Sequence, residues 1–109
     1  RMLLAADKLN PAAHFLFGLI MAHTGRDREA ERSFRSATYL DRAFAVAWYH
    51  LGLLLWKRRA LSDAKRAFEV LNHLLDGAPD DRPVEHADGM TAAELRDMAR
   101  LHLELLGGA

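Results

Sequence analysis

The sequence contains no cysteine and only three prolines in 109 residues. Without cysteine there is no disulfide scaffold, no thiol nucleophile and no zinc motif built on Cys. A reducing cytoplasm is therefore the expected location. Neither charge sign is in excess, with 15 Lys and Arg against 15 Asp and Glu. Such a chain exerts no general pull on nucleic acid or on an anionic membrane, and neither is expected as a partner. No apolar run approaches the roughly 18 residues that a membrane helix needs. Valine and isoleucine are scarce, which argues against strands. Arg1 is not an initiator methionine and no signal peptide follows it, so the sequence reads as a piece of a longer protein.

What is abundant is Ala, Leu, Arg and Glu, all strong helix formers. Half the chain is apolar and 28% is charged, the composition of a globular all-α domain. A shift of 34 residues lays the sequence on itself. It brings Ala13 onto Ala47, Gly18 onto Gly52, Leu19 onto Leu53, Ala30 onto Ala64, Phe34 onto Phe68 and Leu40 onto Leu74, with Phe15 on Tyr49 and Phe17 on Leu51. Each unit reads as two helices. The first carries a glycine between bulky residues, and the second carries Ala and then Phe four residues on, which share a face. Gly18 with Ala30, and Gly52 with Ala64, let antiparallel helices approach closely. One hairpin cannot cover its own apolar face, so neighbours must stack.

This pattern resembles the tetratricopeptide repeat (TPR), a helix-turn-helix unit of 34 residues, over about residues 11–78. The second unit has Trp48, Leu51-Gly52, Leu55, Ala64 and Phe68; the first has Phe17-Gly18, Met21, Gly25, Ala30, Phe34 and Ala37. His14 stands where Trp is usual, Arg59 replaces the turn glycine, and Arg42 and Asp76 replace the closing proline. The resemblance implies a right-handed superhelix of antiparallel hairpins, about six helices in one domain spanning 1–109. Residues 1–10 would end a preceding repeat, since Leu3, Ala6, Leu9 and Asn10 echo Phe34, Ala37, Leu40 and Asp41 at a shift of 31. Repeats would follow at 11–44 and 45–78, then a loop at 79–90 and a capping helix at 91–106. Asn10 suits an N-cap and Pro11 a first turn. Thr91 and Glu94 form a capping box.

The run Tyr39–Gly52, the acidic loop and then Asp88-Gly-Met-Thr-Ala-Ala-Glu-Leu95 together resemble the C-terminal TPR region of CheR-type chemoreceptor methyltransferases. In that family an S-adenosylmethionine-dependent glutamate O-methyltransferase domain precedes the repeats. The resemblance implies a regulatory, protein-binding role in chemotaxis-like signalling, with catalysis upstream of Arg1. The partner would be a receptor, a signalling protein or the parent's own catalytic domain. A generic TPR scaffold in an unrelated complex is the alternative.

The residues themselves offer no reaction. No Gly-rich loop is present to hold a cofactor, and none is expected in this chain. Glu69 with His73, and His86 among Glu85 and Asp88, lack the spacing that fixes three or four metal ligands. They read as a surface ion pair and a solvated loop. Ser62 or Asp63 reads as a helix-start residue, and Lys57-Arg58-Arg59 as cations suited to a helix C-terminus. No catalytic or metal-binding residue is assigned.

First helices of such an array line its concave face. By spacing, that face carries Phe15, Leu19 and His23 in the first unit and Tyr49, His50, Leu53, Trp56 and Lys57 in the second. A solvated face should be polar, so these residues form a candidate partner-binding groove with a basic rim at Lys57, unless the rest of the array covers them. Chaperone-type TPRs clamp a terminal carboxylate with Lys and Asn; Phe15, Leu19, Tyr49 and Leu53 stand at those places, which argues against that function. An exposed edge at Leu3, Leu4 and Leu9 predicts self-association.

Overall fold

The structure is a computed structural model that describes residues 8–107. It is all-α. Among the described residues five helices run in order: α1 Pro11–His23, α2 Asp27–Leu40, α3 Ala45–Lys57, α4 Leu61–Leu75 and α5 Ala92–Leu105. Among the described residues there is no strand, only one isolated bridge between Pro83 and Thr91. The sixth helix, expected over residues 1–9, falls mostly outside the described residues, and Lys8 and Leu9 form a turn.

Local chemistry sets the helix ends. Asn10 Oδ1 accepts from the amides of Ala12 and Ala13 at 2.9 and 3.3 Å, and Pro11 occupies the first turn without forfeiting a needed donor. Thr91 Oγ1 accepts from Glu94 N at 3.3 Å while Glu94 Oε1 accepts from Thr91 N at 2.9 Å, the reciprocal capping box. Asp63 lies in the acidic first turn of α4. The turn from α1 to α2 passes through Gly25 in left-handed backbone, and the turn from α3 to α4 does the same through Arg59.

Each helix packs chiefly on its sequence neighbour, α1 on α2, α2 on α3, α3 on α4 and α4 on α5. This is the pattern of a stacked array, not of a closed bundle. The hairpins close around glycine. A Cβ placed on Gly18 would lie 2.6 Å from Phe34 Cε1, and one on Gly52 would lie 2.7 Å from Phe68 Cζ. Both phenylalanines are fully buried, as are Ala30 and Ala64 one turn before them. A second detail recurs at the same spacing. Trp48 Nε1 donates to the Arg42 carbonyl at 2.9 Å, and His14 Nε2 bonds the Lys8 carbonyl at 2.7 Å. A carbonyl only accepts, so His14 donates there and does the work of the indole N–H.

Residues 76–91 join α4 to α5. Arg96 of α5 ties this segment down. Its guanidinium donates to the Leu75 carbonyl from Nε and Nη2 (3.3 and 3.2 Å), to the Ala78 carbonyl (2.8 Å) and to Asp80 Oδ1 (3.0 Å). It thereby adds charged donors to the carbonyls just past the end of α4, where Leu75 O otherwise accepts only from Ala78 N at 3.1 Å. Val84 N to Met90 O and Ala92 N to Arg82 O close the segment on itself, and Ala87 is buried.

Candidate interaction surface

A set of three rings repeats. In the first unit, Phe15 of α1 and Phe34 of α2 meet at 5.8 Å between ring centroids, and His50 of α3 stacks on Phe34 at 5.7 Å and 29°. In the second, Tyr49 of α3 and Phe68 of α4 meet at 6.4 Å, and His102 of α5 stacks on Phe68 at 4.7 Å and 21°. The third side also recurs, Phe15–His50 at 5.6 Å and Tyr49–His102 at 6.1 Å. Phe15 and Tyr49, like Phe34 and Phe68, are 34 residues apart, but His50 and His102 are 52 apart. Helix α5 therefore occupies the place of a first helix in a third unit, delayed by the inserted segment. Shifting α3 by 52 residues brings Ala47 onto Ala99 and Leu51 onto Leu103, all four buried. It also brings Tyr49 onto Leu101 and Leu53 onto Leu105.

This register extends the face that the sequence marked. Leu19, Tyr49, Leu53 and Trp56 are half-buried there, and Leu101 and Leu105 continue the row at 47% and 63% exposure. The last two escape a search at the 34-residue spacing because the inserted segment shifts them; the pairing of Ala99 and Leu103 with Ala47 and Leu51 was the available signal. His23 and Lys57 are exposed at the C-terminal ends of α1 and α3.

Phe15 requires a correction. It is 1% exposed and cannot line an open groove. Phe34, Phe44 and His50 pack around it, and the ring of His86 comes within 6.3 Å from the segment between α4 and α5. The chain itself covers this part of the groove. His86, expected as a solvated loop residue, is exposed on one side yet lies 5.6 Å from Phe44, ring to ring. Tyr49 and Trp56 are partly covered by His102, at 6.1 and 4.9 Å.

Electrostatics follow from the same packing. Burial among rings pushes the His50 imidazole below its ordinary pKa and raises the Tyr49 phenol. Glu31 is held below the usual carboxylate range, first by the Arg58 guanidinium bonded to it and then by Arg35, against the opposing effect of its burial. Arg58 reaches both Glu31 oxygens at 2.7 and 3.1 Å, and Lys57 Nζ lies 2.9 Å from Asp27 Oδ2. These two cations do more than suit a helix C-terminus: they tie the end of α3 to α2 of the preceding unit. An open depression of about 320 Å³ lies beside them, lined by Leu53, Trp56, Lys57 and Arg59.

Among the described residues no group of three or more His, Asp or Glu side chains could hold a metal ion. Glu69 and His73 are both exposed on α4. No described helix is long and apolar enough to cross a membrane. Leu9, Leu16 and Ile20 are exposed together at the N-terminal side, with Leu9 at 78%; Leu3 and Leu4, the rest of the edge read as self-associating, lie outside the described residues. No family model matches the chain, and no curated protein is similar to it.

Proposed function

We propose that this chain is a protein-interaction module that holds a protein or peptide against the first-helix face. The observation that carries this reading is the apolar row Leu19, Leu53, Leu101 and Leu105, which three helices in common register present and no described segment covers fully. Contiguous exposed apolar surface on an otherwise well-packed domain marks a contact site, and half-buried Tyr and Trp are typical anchors within one. We read the module as a TPR array, and its resemblance supports taking it as the regulatory C-terminal part of a CheR-type protein-glutamate methyltransferase, acting in the cytoplasm. In that setting it has no chemistry or cofactor of its own and positions the enzyme on a receptor or signalling partner.

The test is a binding titration of the chain against a chemoreceptor cytoplasmic fragment and, separately, against a CheR-type catalytic domain. Leu53→Glu and Leu105→Glu place a carboxylate on the row without emptying the core. Binding to the receptor fragment that both variants abolish supports the reading. Binding to neither protein removes the methyltransferase assignment, and unchanged binding by both variants removes the first-helix face.

A further inference from the structure

The turn between α3 and α4 holds a non-glycine residue where the fold asks for glycine. The corresponding turn one unit earlier uses Gly25, at φ 81°; Arg59, 34 residues on, takes φ 67°. A Cβ is disfavoured in that region, and strained backbone is retained where the side chain has a task. The Arg59 side chain lines the depression beside Trp56, Leu53 and Lys57. Its neighbour Arg58 is occupied by Glu31, and Lys57 by Asp27, yet no ion pair holds Arg59 among the described residues. Among the described residues no carboxylate lines this depression. An indole and a leucine thus form the floor and two cations the rim, one of them without a partner.

We propose that this depression receives an acidic, internally apolar peptide segment of the partner: an apolar side chain lies on Trp56 and Leu53, and a flanking carboxylate bonds Arg59, while Lys57 stays paired with Asp27. The inference rests on the interaction-module reading and names the partner's chemistry. Guanidinium suits the role because its planar fork binds a carboxylate bidentately and stacks on aromatic faces. The chain has given up the turn glycine of the preceding unit to put that fork there.

The test uses three fluorescein-labelled 14-residue peptides with the same Leu and Phe positions and Glu, Gln or Lys at all others. Fluorescence anisotropy is read against the 109-residue chain and its Arg59→Gly and Trp56→Ala variants. The acidic peptide binds, the Gln peptide binds about tenfold more weakly and the Lys peptide more weakly still, as charge-paired contacts require. Arg59→Gly loses about tenfold for the acidic peptide while its melting temperature rises, so the loss is not unfolding. Equal binding of the Glu and Gln peptides, both lost in Trp56→Ala, would overturn the acidic partner and leave the interaction face standing. Failure of the acidic peptide to bind, or full binding by Arg59→Gly, overturns the proposal; the receptor-fragment titration judges the broader reading independently.

Discussion

Replacing Gly52 by alanine tests the close approach on which each hairpin depends. A Cβ at this position would lie 2.7, 2.8 and 3.0 Å from three atoms of the Phe68 ring. That ring has no retreat: it is fully buried, with Tyr49 and Trp56 at 6.4 Å and His102 stacked at 4.7 Å. Overpacking a tight core costs roughly 1–3 kcal/mol, and the absence of slack here selects the upper half of that range. Alanine recovers about 1 kcal/mol because it is the better helix former. The net loss is about 1–2 kcal/mol, a fall in Tm of roughly 5–15 °C for a domain of this size. Thermal melts of the single variant, Phe68→Leu and the double variant read it directly. The clash vanishes when the ring does, so in the Phe68→Leu background only the helix-propensity gain remains and Gly52→Ala should recover about 1 kcal/mol. A single variant melting at or above wild type, or strictly additive losses, would refute the close-approach argument.

Three further outcomes are expected. Arg59→Gly relieves left-handed strain and raises stability by about 1 kcal/mol, read as an increased urea midpoint; a lower midpoint would contradict it. Arg96→Ala leaves the Leu75 and Ala78 carbonyls without their charged donor and costs about 1.5–3 kcal/mol, and hydrogen exchange should accelerate across residues 78–90 while α1 and α2 stay protected. Stability should fall on acidification through two groups. His50 has a folded pKa below the 6.5 of the unfolded chain, so the unfolded state binds more protons as pH drops through 6.5 and stability declines there. Glu31, lowered from 4.5, stabilises the fold above that value and adds a second loss below it. Urea midpoints from pH 7.5 to 5.5 should decline less in His50→Gln than in wild type, and identical declines would remove His50 as the cause.

The hairpins were legible in the sequence because their determinants are periodic. Gly18 and Gly52 recur with Phe34 and Phe68, and one contact explains both recurrences. Asn10 and Thr91 were legible because capping is local, with donor and acceptor two or three residues apart. The third first-helix was not, since the segment 76–91 breaks the period before α5 resumes the register. The burial of Phe15 was not legible either: Phe44 and His50 close around it from the start and middle of α3, and His86 approaches from a stretch with no periodic pattern. Arg96 reads in sequence as one more polar helix residue, and only the return of the chain past the end of α4 gives it three carbonyl and carboxylate partners. Lys57 and Arg58 were assigned to their own helix end, while their anions, Asp27 and Glu31, lie about thirty residues earlier on another helix.

The account turns on α5 standing as the first helix of a third unit and so completing the apolar row. The most direct measurement is a proton NMR NOE experiment on the aromatic side chains of the 109-residue chain. It should show His102 ring protons contacting Phe68 and Tyr49, matched by His50 contacting Phe34 and Phe15. Contacts in the His50 set with none from His102 to Phe68 would mean that α5 sits elsewhere and that the row ends at α3.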